Sequence, residues 1–146
     1  MLYFTDSGPM GETSLDNPKG SVFAIDLAVS MLKPIIVGKL AHPSGIALNA
    51  EENILYVAET YKNRILRVVM HQDVPYTSVF HQFQGKFGPT AIAIDATGLI
   101  YVARFDFTDV SSEGVISVLQ PESGEVDHEI IIPGCPEITG LVFLKS

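Results

Sequence analysis

One cysteine, no tryptophan and only nine basic side chains are the scarcities of this 146-residue sequence. A lone Cys135 excludes a disulfide within the chain and a cysteine-based zinc site. It reads as a small, half-buried thiol in a turn. Lys and Arg number 9 against 17 Asp and Glu, for a formal net charge of −8. That field repels a phosphate backbone, so nucleic acid is excluded as a partner. No apolar run approaches the roughly 18 residues of a membrane-spanning helix; the longest stretches, such as 99–103 and 129–133, have strand length. No segment of helical length carries a helical period with caps, and 26–32 is at most a single turn. Phosphate loops, His-x-x-x-His pairs and Gly-x-Ser-x-Gly elbows are missing, and His42, His71, His81 and His128 are scattered. Met1 opens directly onto Leu2-Tyr3-Phe4 with no basic stretch or cleavage signal. A chain without a secretory leader, cytoplasmic rather than secreted, is therefore expected.

What is present is a repeat. Pro43-Ser44-Gly45-Ile46-Ala47-Leu48 is echoed by Pro89-Thr90-Ala91-Ile92-Ala93-Ile94 and, more weakly, by Ile138-Thr139-Gly140-Leu141-Val142-Phe143. Ser44 and Thr90 lie 46 positions apart, Thr90 and Thr139 49. A second series joins Tyr3-Phe4-Thr5-Asp6, Tyr56-Val57-Ala58-Glu59 and Tyr101-Val102-Ala103-Arg104. A third begins at Gly20, Asn63 and Gly114. Each segment is short, rich in Val, Ile, Tyr and Phe, and bounded by Gly, Pro, Asn or Asp, which reads as a strand. Fourth strands are expected at 33–38, 76–80 and 126–132. Four short strands per repeat at this period match a propeller blade. The apolar balance, 47% hydrophobic against 18% charged, suits sheets buried on both faces.

The expected architecture is all-β, one domain over 1–146: three four-stranded blades, half of a six-bladed β-propeller. The second blade covers about 42–82 and the third about 88–133. The first opens in the second series and lacks its innermost strand, which a strand like 137–146 would complete. Two copies exchanging that strand would close a ring of six without free edges. The remainder of a longer chain would close it equally well.

Inner propeller strands begin on one face around the central channel. That places Ser44, Thr90 and Thr139 at the channel mouth and His42 on its rim, with Asp6, Glu59, Arg104 and Asp106 further out. A concave pocket with convergent polar groups is the default ligand site, so the expected partner is a small organic molecule. Plainer readings stand beside this one. Ser and Thr at a strand entrance also satisfy loop backbone groups. Glu59 either faces a ligand or pairs with Lys62 or Arg64. Arg104-Phe105-Asp106 is either a salt-bridged bend or a holder of an anionic group. Loop 7–19 is a lid or a mobile connection, and Asp95, on the opposite face, is structural. For chemistry, Glu59 and Asp6 are the acid/base or cation-holding candidates. Ser44, Thr90, Thr139 and His42 would orient substrate, and Arg104 would meet a negative charge. The alternative is a non-catalytic propeller whose rim docks a protein or ligand.

The runs Leu2-Tyr3-Phe4-Thr5-Asp6-Ser7, Gly20-Ser21-Val22-Phe23, Pro43-Ser44-Gly45-Ile46-Ala47-Leu48 and Val57-Ala58-Glu59-Thr60 with Asn63-Arg64-Ile65 resemble strictosidine synthase-like proteins. The wider relatives are regucalcin, the gluconolactonases and the paraoxonases. The resemblance implies a six-bladed propeller acting on a small molecule, as a hydrolase of lactones or esters or as a synthase-like lyase. It also implies calcium, held in the lactonase branch by an Asn of a Pro-Asn-Gly motif and an Asp of a Pro-Asp-Gly motif. Those positions are Ser44 and Thr90 here, and neutral hydroxyls are poor substitutes around a hard cation. Glu137 lies at a rim comparable to that of the synthases' glutamate, outside its motif.

Overall fold

A computed structural model of the chain describes residues 1–106, 109 and 111–145. Eleven strands follow one another among these residues in three antiparallel meanders. The first sheet is β1 (Leu2–Asp6), β2 (Gly20–Asp26) and β3 (Met31–Leu40). The second is β4 (Pro43–Leu48), β5 (Ile54–Glu59), β6 (Arg64–His71) and β7 (Val74–Gln82), with a 3₁₀ turn at Thr60–Lys62 between β5 and β6. The third is β8 (Phe87–Ile94), β9 (Ile100–Asp106), β10 (Glu113–Leu119) and β11 (Val126–Pro133). Spatial order equals chain order in every sheet.

Side-chain alternation explains how the sheets stack. Successive residues of a strand point to opposite faces. On β5, Leu55 and Val57 join Val22, Leu40, Leu66 and Val68 in a core between the first two sheets. Tyr56 and Ala58 join Ile65, Ile92, Ile100 and Val102 in a second core, between the second and third sheets. A strand apolar on both faces is thus one that has a sheet on each side. Where β4 meets β8 the backbones come so close that a Cβ on Gly45 would sit 2.7 Å from Ala91 Cα. Only glycine fits there, and the β4–β5 register shifts just beside it, between Pro43 and Ile46.

Three expectations need correction. The outer strands run longer than 33–38, 76–80 and 126–132: tight hairpin turns start the first two ladders at Met31 and Val74, and pairing with Glu113 carries the third to Pro133. Residues 137–143 carry the inner-strand repeat but form no strand among the described residues. A strand needs a ladder partner, and among the described residues β1 pairs only with β2. The segment instead lies against the third sheet, with Phe143 edge-on to Tyr101 at 4.9 Å. Ser146, the end of that stretch, lies outside the described residues. Cys135 is exposed rather than half-buried, since it follows the turn at Gly134, and its carbonyl, not its thiol, faces Gly114.

Candidate functional site

The polar end of the sheets is held by a repeated latch. Ser7, Thr60 and Phe105 occupy equivalent places, one residue beyond Asp6, Glu59 and Arg104. Ser7 Oγ donates to Pro43 O at 2.8 Å, and Thr60 Oγ1 donates to Pro89 O at 2.7 Å. Each bond ties the exit of one sheet's second strand to the entrance of the next sheet's inner strand. In the third position Phe105 has no hydroxyl. There Thr90 Oγ1 donates to Ile138 O at 2.7 Å instead.

Around these latches lies a cavity of about 280 Å³. It is lined by His42, Ser44, Thr60, Thr90 and Phe105 and by Glu137, Ile138 and Thr139. Four of the residues expected at the mouth, His42, Ser44, Thr90 and Thr139, are therefore brought together. Thr60 and Phe105 escaped the sequence reading, although the second repeat series, extended by one residue, points to both.

His42 is held in an uncommon conformation, with φ 54°. Histidine tolerates this left-handed region better than most residues. Its carbonyl accepts from Thr60 N at 3.1 Å, and its ring stacks on Tyr61 with centroids 4.7 Å apart. Burial lowers its pKa from the ordinary 6.5, so the ring is neutral near neutral pH.

Asp6, Glu59 and Arg104 do not line the cavity. Asp6 Oδ1 accepts from Gly8 N at 2.9 Å and shapes the start of loop 7–19. Glu59 is fully buried; it accepts from Arg64 Nε at 2.6 Å and from Ala41 N at 3.0 Å, with Lys62 Nζ at 3.8 Å. Arg104 is buried over the Phe83 ring at 4.2 Å and donates to Ser117 Oγ, Glu129 Oε1 and Gln84 O. Burial lowers its pKa and Glu129 opposes that shift. Asp106 Oδ1 accepts from Asp109 N at 3.3 Å. Asp95, on the β8–β9 turn, accepts from Thr97 N, Thr97 Oγ1 and Leu99 N within that turn. Loop 7–19 is a stack of turns, with Lys19 on Glu12 at 3.1 Å.

The donor set does not fit a calcium ion. Among the described residues no three His, Cys, Asp or Glu side chains come together. Ser44 Oγ lies 2.6 Å from Thr60 Oγ1, and Thr90 Oγ1 is bonded to Ile138 O. Both groups are neutral and already spent on the latch, leaving Glu137 as the cavity's one carboxylate. Hard divalent cations are held by several charged oxygens.

Comparison with known proteins agrees with this framework. The model of the SMP-30/Gluconolactonase/LRE-like region matches residues 2–145. The chain is 30% identical over 141 residues to the lactonase drp35 of Staphylococcus haemolyticus, covering 93% of this chain and 40% of that one. Its counterpart in Staphylococcus epidermidis is 32% identical over 138 residues, with 91% and 39% covered. The chain thus spans about 40% of the length of these relatives. In fold it resembles a gluconolactonase from Xanthomonas campestris, with TM-score 0.70 at 21% identity over 97% of this chain and 46% of that one. It also resembles the calcium-binding regucalcin of Agrobacterium tumefaciens, with TM-score 0.68 at 21% identity over 87% and 40%. These matches support the gluconolactonase and regucalcin group. The narrower likeness to strictosidine synthases rests on the sequence runs alone.

Proposed function

Because the chain belongs to the SMP-30/gluconolactonase/LRE-like family, we propose that it is half of a six-bladed propeller whose channel mouth binds a small lactone or ester and hydrolyses it. The repeated meanders support the half-propeller, as does the span of just under half of the solved gluconolactonase, 46%. The observation that carries the function is a concave mouth in which the imidazole of His42, its pKa lowered by burial, stands among hydroxyls and one carboxylate.

The chemistry balances without a metal. His42 takes a proton from a water molecule as the water oxygen attacks the lactone carbonyl carbon. The ring C–O bond breaks, the leaving alkoxide receives the proton back from the imidazolium, and a hydroxy acid is released. Thr139 orients the substrate, while the Ser44 hydroxyl stays on Thr60. Glu137 adds a negative rim that favours departure of the acid. Glu59 is a positioning residue: by holding Ala41 N it fixes the residue before His42.

Acid release from a panel of lactones and aryl esters tests this, with and without a calcium chelator. Turnover is expected, unaffected by chelation, and about 100-fold lower in His42→Gln. The rate should climb with pH through the His42 pKa, below 6.5, and then level off. Turnover that requires calcium, or that survives His42→Gln, refutes the mechanism. The competing reading, a propeller that binds without reacting, is favoured by the misfit of the metal donors. Saturable binding of panel members with no turnover decides for it.

A further inference from the structure

A second and larger cavity, about 630 Å³, adjoins the mouth and shares Thr60 with it. The divider is the His42–Tyr61 stack: His42 lines the mouth and Tyr61 lines the neighbouring cleft. Leu15, the one large apolar residue between Gly11 and Lys19, lines the same cleft as Tyr61. Leu15 is 57% exposed, yet its place is fixed. Ser14 N donates to Asn17 O at 3.1 Å, and Asn17 N donates to Ser14 Oγ at 3.0 Å, closing a turn around it. Ser7 Oγ roots the same loop on Pro43 O, at the mouth itself. A polar loop that brings a single leucine into the same cleft as an aromatic ring, beside the mouth, has the composition of a binding wall.

We infer that mouth and cleft are two subsites of one binding site, and that its ligand is a lactone or ester bearing an apolar substituent of several carbons. The polar ring occupies the mouth, and the substituent crosses Thr60 to lie between Leu15 and Tyr61. Lys86 lines the cleft with them and is paired to Asp109. The inference rests on the mouth being a lactone or ester site. It adds the class of substituent, which nothing in the mouth alone specifies.

The test is a series of γ-lactones, from unsubstituted γ-butyrolactone to increasingly long 4-alkyl derivatives. Binding is measured by calorimetry and turnover by acid release. Affinity should rise by up to about fourfold per added methylene until the cleft is filled. Leu15→Asp should flatten that rise. Leu15 is exposed, so the variant folds, and an unchanged thermal transition verifies it. A chain-length series that is already flat in the wild-type protein overturns the inference, as does one that Leu15→Asp leaves intact. Binding that rises with chain length but without turnover keeps the two subsites and removes only the hydrolytic reading. Turnover of the unsubstituted lactone with a flat series does the reverse. No binding by any member overturns both.

Discussion

Replacing Thr60 with valine keeps the shape of the side chain and removes the hydroxyl at the junction of two sheets. Thr60 is 2% exposed. Its Oγ1 donates to Pro89 O at 2.7 Å and lies 2.6 Å from Ser44 Oγ. Thr60 has one proton, and it goes to Pro89 O, so Ser44 must be the donor in the second bond. Thr60→Val therefore strips the donor from a buried carbonyl and the acceptor from a buried-side hydroxyl. An unsatisfied buried polar group costs about 1–3 kcal/mol. Ser44 Oγ already stands 3.4 Å from Pro89 O and can swing toward it, which offsets part of the loss. The expected destabilisation is about 2 kcal/mol, or roughly 4–8 °C in Tm for a chain of this size. Urea denaturation should show a lower midpoint with an unchanged m-value. Thr60→Ser keeps the bond and should stay within about 1 kcal/mol of the wild type. Ser44→Ala combined with Thr60→Val should cost less than the sum of the two, since both remove the same bond. A Thr60→Val protein within about 0.5 kcal/mol of the wild type would show that the latch does not hold the sheets together.

Two further outcomes follow from the same geometry. Burial lowers the pKa of both His42 and His81 from 6.5; at His81 the bond to Gly124 O opposes the shift and the Arg104 charge adds to it. The unfolded chain then binds more protons, so the stability these rings contribute is complete above pH 6.5 and lost as pH falls through their folded values. Thermal transitions should fall over that window and fall less in His81→Gln; transitions flat from pH 7 to 5 would contradict the burial of these rings. Residues 138–143 carry the inner-strand repeat without a ladder partner among the described residues, and Val142 and Leu144 are 85% and 93% exposed. Two copies exchanging this segment onto β1 would close the ring, so light scattering should give twice 15.8 kDa; a monodisperse species of 15.8 kDa would count against the exchange.

The strands were legible because each repeat writes the same instruction in local chemistry: a β-branched or aromatic run between turn residues. Tyr3, Tyr56 and Tyr101 mark the second series, and all three fall inside strands with equivalent neighbours. The mouth was legible for a related reason. Residues that enter an inner strand share one end of their sheets, so Ser44 and Thr90 meet by register; Thr139, outside any strand, is brought to them by the bond from Thr90 Oγ1 to Ile138 O. Glu59 and Arg104 were not legible as buried groups. The pairing of Glu59 with Arg64 and Lys62 stood among the readings, but its burial on Ala41 N, and that of Arg104 on Phe83 and Glu129, depends on partners further along the chain.

The latch shows where this kind of reading stops. Register assigns Ser7, Thr60 and Phe105 to one position, but it does not say where a hydroxyl proton goes. That depends on a carbonyl of the next sheet, 36 residues away for Ser7 and 29 for Thr60. Two of the three positions obey the repeat, and their hydroxyls are consumed in holding sheets together. The third departs from it: Phe105 cannot donate, and Thr90 is recruited to the task from the inner strand. The cavity opens at that departure, lined by Phe105 and by the unrepeated His42 and Glu137. A repeat protein builds its scaffold from what its units share. Its ligand site takes its asymmetry from residues in which the units differ, because identical units around an axis would offer the ligand identical walls.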